Sequence, residues 1–367
     1  MAATKYYIDY ENGSDTTGDG LAPGTAYKTA KKLIDTETWD STNGIEVIMS
    51  GSALDVLTES LTTTLAANSW SPVQAAHLTF RGESGSSTGF DGDATYGIIT
   101  SGSNISFYNL ELTNTGSANI LAYGSLRQVV ANCYIHGTTG IGITNCPVVN
   151  SHTYNIGGDS HLQNCEAFYC FCDNYNGTNH STYVIRGRSN YYCRILMYGA
   201  ANNELGIYCN QDAQNQYFNT VLCPSGAGTV RKGIRHTGAV EYNSIYGNLV
   251  VAENQNVGDI GIDTTETNIL MHNAAYNWTT DYNYGVAERY QYGNESLSSN
   301  PFTTNPTGST NDLSAWEPDV VTGDLDSIRS DTYFPSFSPP FKGSWQPVGG
   351  GAGGGLLRVN MNGNVFG

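Results

Sequence analysis

Asn109-Leu110-Glu111-Leu112 is the first of a series of short phrases that recur through residues 105–273 and decide the fold. Each phrase has an Asn, a small or apolar residue, a variable residue and then usually an apolar one. The phrases begin at Asn109, Asn132, Asn150 (a weaker copy), Asn164, Asn190, Asn219, Asn243 and Asn268. Successive Asn residues lie 23, 18, 14, 26, 29, 24 and 25 residues apart. A loose period in the twenties is typical of stacked solenoid coils, whose loops vary in length while each coil returns to the same place.

The repeat predicts coils of two or three short strands, each pairing in parallel with the coils above and below at a spacing of about 4.8 Å. Inward side chains then stack on their equivalents and form a long, narrow core. An Asn at each bend can hydrogen-bond the next Asn in the column, which contributes about 1 kcal/mol net per bond. The alternative is that these Asn residues are ordinary loop residues. The matching residues after each Asn favour the ladder.

The composition favours strands and turns over helices. The 367 residues include 43 Gly and 25 Tyr, and only 13% are charged. Such a composition suits turns and pleated strands. The formal net charge of -17 disfavours binding to nucleic acid and to anionic membranes. From this charge we expect no nucleic-acid partner. Because no apolar run reaches the length of a membrane span, we also expect no membrane insertion.

All eight cysteines lie between residues 133 and 223. Cys133 and Cys165 each follow a repeat Asn, which predicts equivalent inward positions, and Cys170 and Cys172 share one face of a strand. No paired CxxC units of the metal-binding type are present. We favour a stack of small buried thiols, with disulfides and a metal site as alternatives. Residues 1–5 lack the apolar segment of a secretory signal, which predicts a mature form or a protein that leaves the cytoplasm by another route, such as cell lysis.

The N-terminal residues predict a strand over residues 5–10, a polar loop, and a helix over residues 26–34 with Thr25 as its N-cap. A helix at the start of a solenoid would cover the open end of the core. The phrases Tyr6-Tyr7-Ile8-Asp9, Asn12-Gly13-Ser14-Asp15 and Pro23-Gly24-Thr25-Ala26-Tyr27-Lys28-Thr29 resemble the opening of right-handed parallel β-helix proteins of the pectate-lyase-like superfamily. The match is close over residues 6–34, and the coil repeats extend it to about residue 300.

The resemblance implies an all-β fold, a right-handed parallel β-helix with a short N-terminal capping helix and an irregular C-terminal strap. The superfamily includes polysaccharide lyases and hydrolases as well as non-enzymatic surface and phage virion proteins. The resemblance therefore marks a fold and does not mark an activity.

We divide the chain into four segments. Residues 1–44 hold the first strand, the loop and the capping helix; residues 45–300 form the β-helix, with early strands at 44–49 and 77–81. Residues 301–348 form a strap rich in Pro and aromatic residues, which cannot be a central strand. Ser299-Asn300-Pro301-Phe302 resembles the closing phrase after which the chain packs back along the helix. The Gly-rich tail, residues 349–367, is either a tether that adds a strand to another protein or a frayed terminus.

The densest basic stretch is Arg231-Lys232-Gly233-Ile234-Arg235-His236. On a regular strand, Arg231 and Arg235 share one face, while Lys232, Ile234 and His236 share the other. A second, looser group of basic residues consists of Arg186, Arg188 and Arg194. Three carboxylates are isolated from one another in the sequence: Asp212, Asp259 and Asp263. The catalytic phrases of the superfamily's hydrolases and lyases are absent. We therefore expect these groups to be solvated surface or interface residues, and we assign no catalytic, cofactor-binding or metal-binding residue.

Calcium is the one cofactor that the sequence leaves open. Asp15 and Asp19 lie in a Gly-rich loop, but their spacing lacks the closing Glu of a known calcium loop. His136, His152 and His236 show no ligand spacing. Glycosylation patterns at Asn176 and Asn179 apply only to a secreted eukaryotic protein. The many Tyr residues either form a sugar-binding face or cover sheet edges.

Our first hypothesis for the function is a structural virion protein, a β-helical capsid decoration, knob or fibre on a phage particle. It predicts a homotrimer that contacts capsid or other virion proteins through residues 315–367. One alternative is a polysaccharide lyase or depolymerase that acts on acidic glycans. Another is a non-catalytic adhesin that binds a host-surface glycan. The corresponding locations are the virion or, for the alternatives, the extracellular space.

Overall fold

The computed structural model describes thirteen stretches of the chain and the backbone of two short strands near the C-terminus. They are residues 2–72, 77–84, 87–101, 104–114, 116–123, 128–174, 182–197, 204–210, 214–223, 230–237, 243–264, 269–284 and 290–302, and strands Arg358–Val359 and Val365–Phe366, which pair antiparallel. The strap beyond residue 302 and the rest of the tail lie outside the described residues, so the predictions made for them stay predictions.

Three long parallel sheets run along the molecule, and each full coil contributes one strand to each sheet. Sheet A has twelve strands: Thr4–Asp9, Ile45–Ser50, Leu78–Gly82, Ile105–Tyr108, Val130–Ala131, Val148–Val149, Ala167–Phe168, Asn190–Tyr191, Asn215–Tyr217, Ser244–Tyr246, Ile269–Met271 and Tyr290–Tyr292. Sheet B has eleven: Leu54–Val56, Gly89–Asp91, Glu111–Thr113, Tyr134–Thr138, His152–Ile156, Phe171–Asp173, Arg194–Leu196, Thr220–Cys223, Leu249–Ala252, Ala274–Tyr276 and Glu295–Leu297. Sheet C has eight: Leu121–Ala122, Ile143–Thr144, Ser160–Gln163, Tyr183–Arg186, Glu204–Cys209, Arg231–His236, Ile260–Thr264 and Thr280–Asn283.

This architecture fits the right-handed parallel β-helix and confirms the predicted all-β fold class. Inward side chains align from coil to coil, as Val47, Phe80, Phe107 and Val130 do in sheet A. All four side chains are fully buried. Parallel crossover connections are right-handed in nearly all proteins. No described helix is long and apolar enough to cross a membrane.

The first end of the stack is covered by two short helices, α1 (Ala30–Thr36) and α2 (Leu61–Ala67), preceded by a 3-10 turn at Pro23–Thr25. The predicted helix over residues 26–34 with Thr25 as N-cap begins later, because Tyr27 bridges to Ile8 in extended conformation. The hydroxyl of Thr29 accepts from the backbone N–H of Lys32 at 3.1 Å and is the actual N-cap. The sequence did not predict α2.

The bend between sheets A and B repeats one backbone conformation in nine successive coils. One residue at each bend has a positive φ of 45° to 66°: Asn109, Asn132, Asn150, Tyr169, Tyr192, Phe218, Gly247, His272 and Gly293. Left-handed backbone favours Asn and Gly, which accounts for the first three. Where Tyr and Phe stand instead, the rings stack, as Tyr169 does on Tyr192 at 4.9 Å.

The predicted Asn ladder therefore divides between two adjacent columns. Asn132 and Asn150 each donate to the preceding Asn of the outer column, at 3.1 and 2.8 Å. Asn219 instead begins an inner, buried column of the same kind. The single column we predicted is wrong for three phrases. Asn164 lies at the bend from sheet C to sheet A, Asn190 lies inside sheet A, and Asn243 precedes a sheet A strand, while Asn268 lies outside the described residues.

The eight cysteines are all free and buried, which confirms the buried-thiol interpretation. Cys133 and Cys165 are not equivalent, however, because Cys133 follows the bend from sheet A to sheet B and Cys165 follows the bend from sheet C to sheet A. Burial raises the pKa of each of these two thiols to about 12. Thiols with such pKa values are inert packing groups rather than nucleophiles.

Candidate functional site

The outer face of sheet C gathers charged and aromatic side chains from successive coils. Its strands pair in register, so one outward row runs along the molecule through Arg186, Tyr208, Arg235, Asp263 and Asn283. Tyr183 and Lys232 lie in a parallel row, and Asp159 directly precedes the neighbouring strand Ser160–Gln163, which pairs with Tyr183–Arg186. We call this surface the sheet C face: Asp159, Tyr183, Arg186, Tyr208, Lys232, Arg235, Asp263 and Asn283.

A column of glycines explains why this face differs from the alternation we predicted. Gly206 and Gly233 lie at the same level of sheet C, where a Cβ on either would approach a carbonyl oxygen of the next coil to 2.5 or 2.6 Å. At this level the alternation of inward and outward side chains breaks, as the burial of the strand Arg231–His236 shows. Arg231 consequently points inward and is fully buried, whereas Lys232 and Arg235 both point outward. The prediction that Arg231 and Arg235 share a face is wrong.

Lys232 and Arg235 share one carboxylate. Lys232 Nζ pairs with Asp263 Oδ2, and Arg235 Nε lies 3.4 Å from the same oxygen. Asn283 Nδ2 donates to Asp263 Oδ1 at 2.7 Å. The side chain of Asp263 is only 3% exposed, while that of Arg235 is 34% exposed. The carboxylate therefore lies beneath the two cations and orients them, and the side chain of Lys232 is 17% exposed.

A second cation lies further along the same face, beside two stacked tyrosines. Arg186 Nη1 pairs with Asp159 Oδ2, and the guanidinium lies 5.1 Å from the ring centre of Tyr183. Tyr183 stacks on Tyr208 at 4.8 Å. The hydroxyl of Tyr208 is 3.0 Å from that of Thr237. Because the ring faces stack on each other, the groups available to a ligand are hydroxyls and guanidinium N–H donors.

The charge of this face is opposite to that of the whole chain. It carries three cations, Arg186, Lys232 and Arg235, against the two carboxylates of Asp159 and Asp263. The chain has only 16 Lys and Arg against 33 Asp and Glu. A local positive surface attracts anions even on an acidic protein. Guanidinium and ammonium groups are the usual protein partners of carboxylate and sulfate.

The acids we predicted to be isolated are paired, which corrects that prediction for two of the three. Asp259 Oδ2 lies 2.6 Å from Arg231 Nη2, with both side chains fully buried. Asp263 holds Lys232 and Arg235 as described, and Asp212 lies outside the described residues. The predicted surface location is also wrong for Arg194, which is 7% exposed. His236 is buried beside Asn243.

The two loop aspartates proposed for calcium accept hydrogen bonds from their own loop. Asp15 accepts from the backbone N–H groups of Lys28 and Thr29, at 2.7 and 3.1 Å. Asp19 accepts from Leu21 N and Thr25 Oγ1. Among the described residues, no group of three or more His, Cys, Asp or Glu side chains is arranged to hold a metal ion. Calcium binding at this loop stays an untested prediction, and Asn176 and Asn179 lie outside the described residues.

Sequence reasoning missed four residues of the sheet C face, Asp159, Tyr183, Tyr208 and Asn283. A signal for two of them was present, because Arg186, Tyr208, Arg235, Asp263 and Asn283 follow one another at intervals in the twenties. The Asn phrases set the period, but they did not fix where sheet C lies within each coil.

No family model and no curated protein matches this chain. Among solved structures, the chain is similar to "Crystal structure of pectate lyase Pel9A", with 12% sequence identity and a TM-score of 0.48. The alignment covers 90% of this chain and 86% of that chain.

Proposed function

We propose that this protein binds acidic glycans along the sheet C face. The observation that carries this proposal is the placement of Lys232 and Arg235 over one nearly buried carboxylate, in line with Arg186 and two tyrosines on neighbouring coils. A linear anionic chain laid parallel to the helix axis would meet a polar group on each successive coil, about 4.8 Å apart.

Each residue has a defined role in this proposal. Arg235 and Arg186 donate forked N–H pairs to carboxylate or sulfate groups, and Lys232 adds a compact positive charge. Tyr183 and Tyr208 donate and accept hydrogen bonds with sugar hydroxyls. Asp263 keeps the two cations in place before a ligand arrives, which lowers the entropy lost on binding. Since the contacts are ionic and partly exposed, binding should weaken as salt is added.

A binding assay with matched variants tests the proposal. The double variant Lys232→Gln, Arg235→Gln should bind polygalacturonate or alginate at least tenfold more weakly than the wild type, a loss of about 1.4 kcal/mol. Neutral dextran should not bind to either protein. Lys5→Gln removes an exposed cation that pairs with Glu46 on sheet A and serves as the control. Equal affinity of the double variant and the control would reject the proposal.

A polysaccharide lyase is the second candidate, favoured by the same two cations. Lys232 and Arg235 lie on one face within reach of one carboxylate, and a basic side chain near a bound uronate could remove the proton next to its carboxyl group. The wild type should then release unsaturated sugars from the glycan that it binds, measured by ultraviolet absorbance. Binding without release favours the adhesin, and release that survives both substitutions excludes these residues as the base.

The virion hypothesis also stays a proposal, together with the homotrimer and the contact through residues 315–367. An uncharged outward row of sheet A supports packing against other subunits: Ala131, Val149, Phe168, Tyr191, Tyr217, Tyr246 and Met271. Quantitative mass spectrometry of purified particles would test it through the ratio of this chain to the major capsid protein. A fixed ratio supports a virion component, and deletion of residues 349–367 should then release it; absence from particles removes the hypothesis.

A further inference from the structure

Arg194 is a buried cation on the outer face of sheet B, away from the sheet C face. It begins the strand Arg194–Leu196, and only 7% of the residue is exposed. Its Nη1 is buried and has no hydrogen-bond partner among the described residues. No ion pair joins it to an acidic residue in the part of the chain that the structure describes. Arginine stays charged in proteins, and a buried charge without a partner is strongly unfavourable.

Other arginines that lie over aromatic rings show how unusual this is. Arg81 lies 4.7 Å from the ring centre of Tyr108, and its Nε pairs with Glu46 at 3.0 Å. Arg186 lies over Tyr183 and pairs with Asp159. Arg194 lies 5.5 Å from the ring centre of Phe171 and is more buried than either, yet no carboxylate in the described stretches pairs with it.

A second unpartnered nitrogen lies on the same face. His152, Phe171 and Arg194 align on successive coils, so the Phe171 ring lies between the imidazole and the guanidinium. His152 stacks on Phe171 at 4.6 Å, and its buried Nε2 has no hydrogen-bond partner in the part of the chain that the structure describes. Two polar atoms without partners therefore flank one apolar ring, which is an arrangement expected of a binding site rather than of a packed surface.

We propose that Arg194 binds an oxyanion, a carboxylate or sulfate group of a ligand, at an anion site on the outer face of sheet B. Phe171 covers one face of the guanidinium, so the N–H donors at its edge are the part left for a ligand. Oxyanions match these donors because two oxygens can accept from one guanidinium fork. His152 lies two coils away, about 10 Å, and offers a further contact to a ligand larger than the oxyanion itself.

Calorimetric titration of the full chain with sodium sulfate and sodium acetate, at ionic strength held constant with chloride, tests this site directly. The wild type should bind with a saturable signal. Arg194→Gln should bind at least tenfold more weakly, and Arg194→Lys, which keeps the charge but loses the fork, should be intermediate. Arg81→Gln removes an arginine that stacks on a ring but has its own carboxylate, and it should bind within twofold of the wild type.

Two results would overturn the proposal: no saturable binding of either anion by the wild type, or equal binding by Arg194→Gln. If Arg194→Gln fails to fold, as judged by circular dichroism, Arg194→Lys becomes the deciding variant. An affinity of Arg194→Lys for sulfate and acetate that equals that of the wild type rejects the site. The double variant Lys232→Gln, Arg235→Gln separates this site from the glycan proposal. It should leave the Arg194-dependent binding of sulfate and acetate intact.

Discussion

Asn219 and Asn248 lie one coil apart at the bend between sheets A and B, and the Oδ1 of Asn248 accepts both the backbone N–H and the Nδ2 of Asn219, at 2.9 and 3.0 Å. Asn248 in turn donates from its own N and Nδ2 to Asn273 Oδ1, each at 2.9 Å. Asn294 repeats the arrangement below Asn273. Each side chain thus replaces backbone hydrogen bonds that the sharp bend would leave unmade.

Replacing Asn248 with Ala should destabilise the protein by about 2–4 kcal/mol, because it leaves the buried backbone N–H of Asn219 without its acceptor and removes one of the two hydrogen bonds that residue 248 donates to Asn273 Oδ1. Chemical denaturation measures the change. The matched variant is Asn132→Gly, which removes hydrogen bonds of the exposed outer column but keeps the positive φ of 54° accessible. It should cost less than about 1 kcal/mol. Equal costs would show that the buried ladder has no special role.

The sequence was sufficient for the fold because its signal is repeated. A period in the twenties and the N-terminal phrase predict stacked parallel coils, and an error in one coil does not change the result. The left-handed bend accepts Asn, Gly or a stacked ring, so Tyr169, Tyr192 and Phe218 occupy positions that an Asn pattern cannot find. The phrases at Asn164 and Asn190 matched the pattern while lying elsewhere in the coil.

The candidate site was less predictable because it depends on a local break in alternation. The break in alternation at Gly206 and Gly233 places Arg231 in the core and Arg235 outside, although the two residues lie four positions apart on one strand. The pairing of Arg231 with Asp259 joins residues 28 apart in sequence. Contacts between coils depend on loop lengths, which composition and strand periodicity do not specify.

The Arg231–Asp259 pair should be essential for folding even though it contributes nothing to a surface site. Both side chains are fully buried, and Arg231 also donates to the carbonyl oxygen of Asn254 at 2.5 Å. Asp259→Asn removes the carboxylate that lies 2.6 Å from the buried Arg231 guanidinium and should destabilise the protein by about 3–5 kcal/mol, measured as a shift of the denaturation midpoint. Asp159→Asn breaks the partly exposed pair with Arg186 and should cost less than about 1 kcal/mol. A small effect at Asp259 would contradict this account.

The native protein should react with less than one equivalent of a thiol reagent such as DTNB, although it contains eight cysteines. Burial raises the pKa of Cys209 to about 12, so the thiolate required for reaction is scarce at neutral pH. In denaturant all eight thiols should react. Val257→Cys introduces a cysteine at a residue that is 91% exposed and should add one rapidly reacting thiol to the native protein. Several fast-reacting thiols in the native wild type would show that the coils open readily.

Asp55 should make the stability of the N-terminal cap depend on pH. It is 2% exposed, its Oδ2 accepts from Ala30 N at 2.7 Å, and it lies on a cleft of about 310 Å³ between α1 and α2. The other charged residues that line this cleft are Asp15, Lys31, Lys32, Asp35 and Glu59. Burial, with a smaller effect of Asp15, raises the pKa of Asp55 to about 7.

Because this pKa lies above the usual Asp value of about 3.9, the folded protein binds the proton more tightly than the unfolded chain does. The resulting stability is complete below pH 4 and is lost as pH rises through 7. Asp55→Asn keeps the acceptor for Ala30 N without a titrating charge. Because a pKa shift of one unit corresponds to about 1.4 kcal/mol, the Asp55→Asn variant should be roughly 2–4 kcal/mol more stable than the wild type above pH 7.

His161 provides the control, because its titration acts with the opposite sign. It is fully buried, and burial lowers its pKa to about 4, so its contribution to stability is lost as pH falls from about 6.5 to 4. Denaturation curves between pH 4 and pH 8 should therefore show Asp55→Asn removing the decline towards neutral pH and His161→Gln reducing the decline towards acid, to which His152 also contributes because burial lowers its pKa to about 4. If Asp55→Asn is less stable than the wild type at pH 8, the ionised carboxylate stabilises the cap and the argument from burial is wrong.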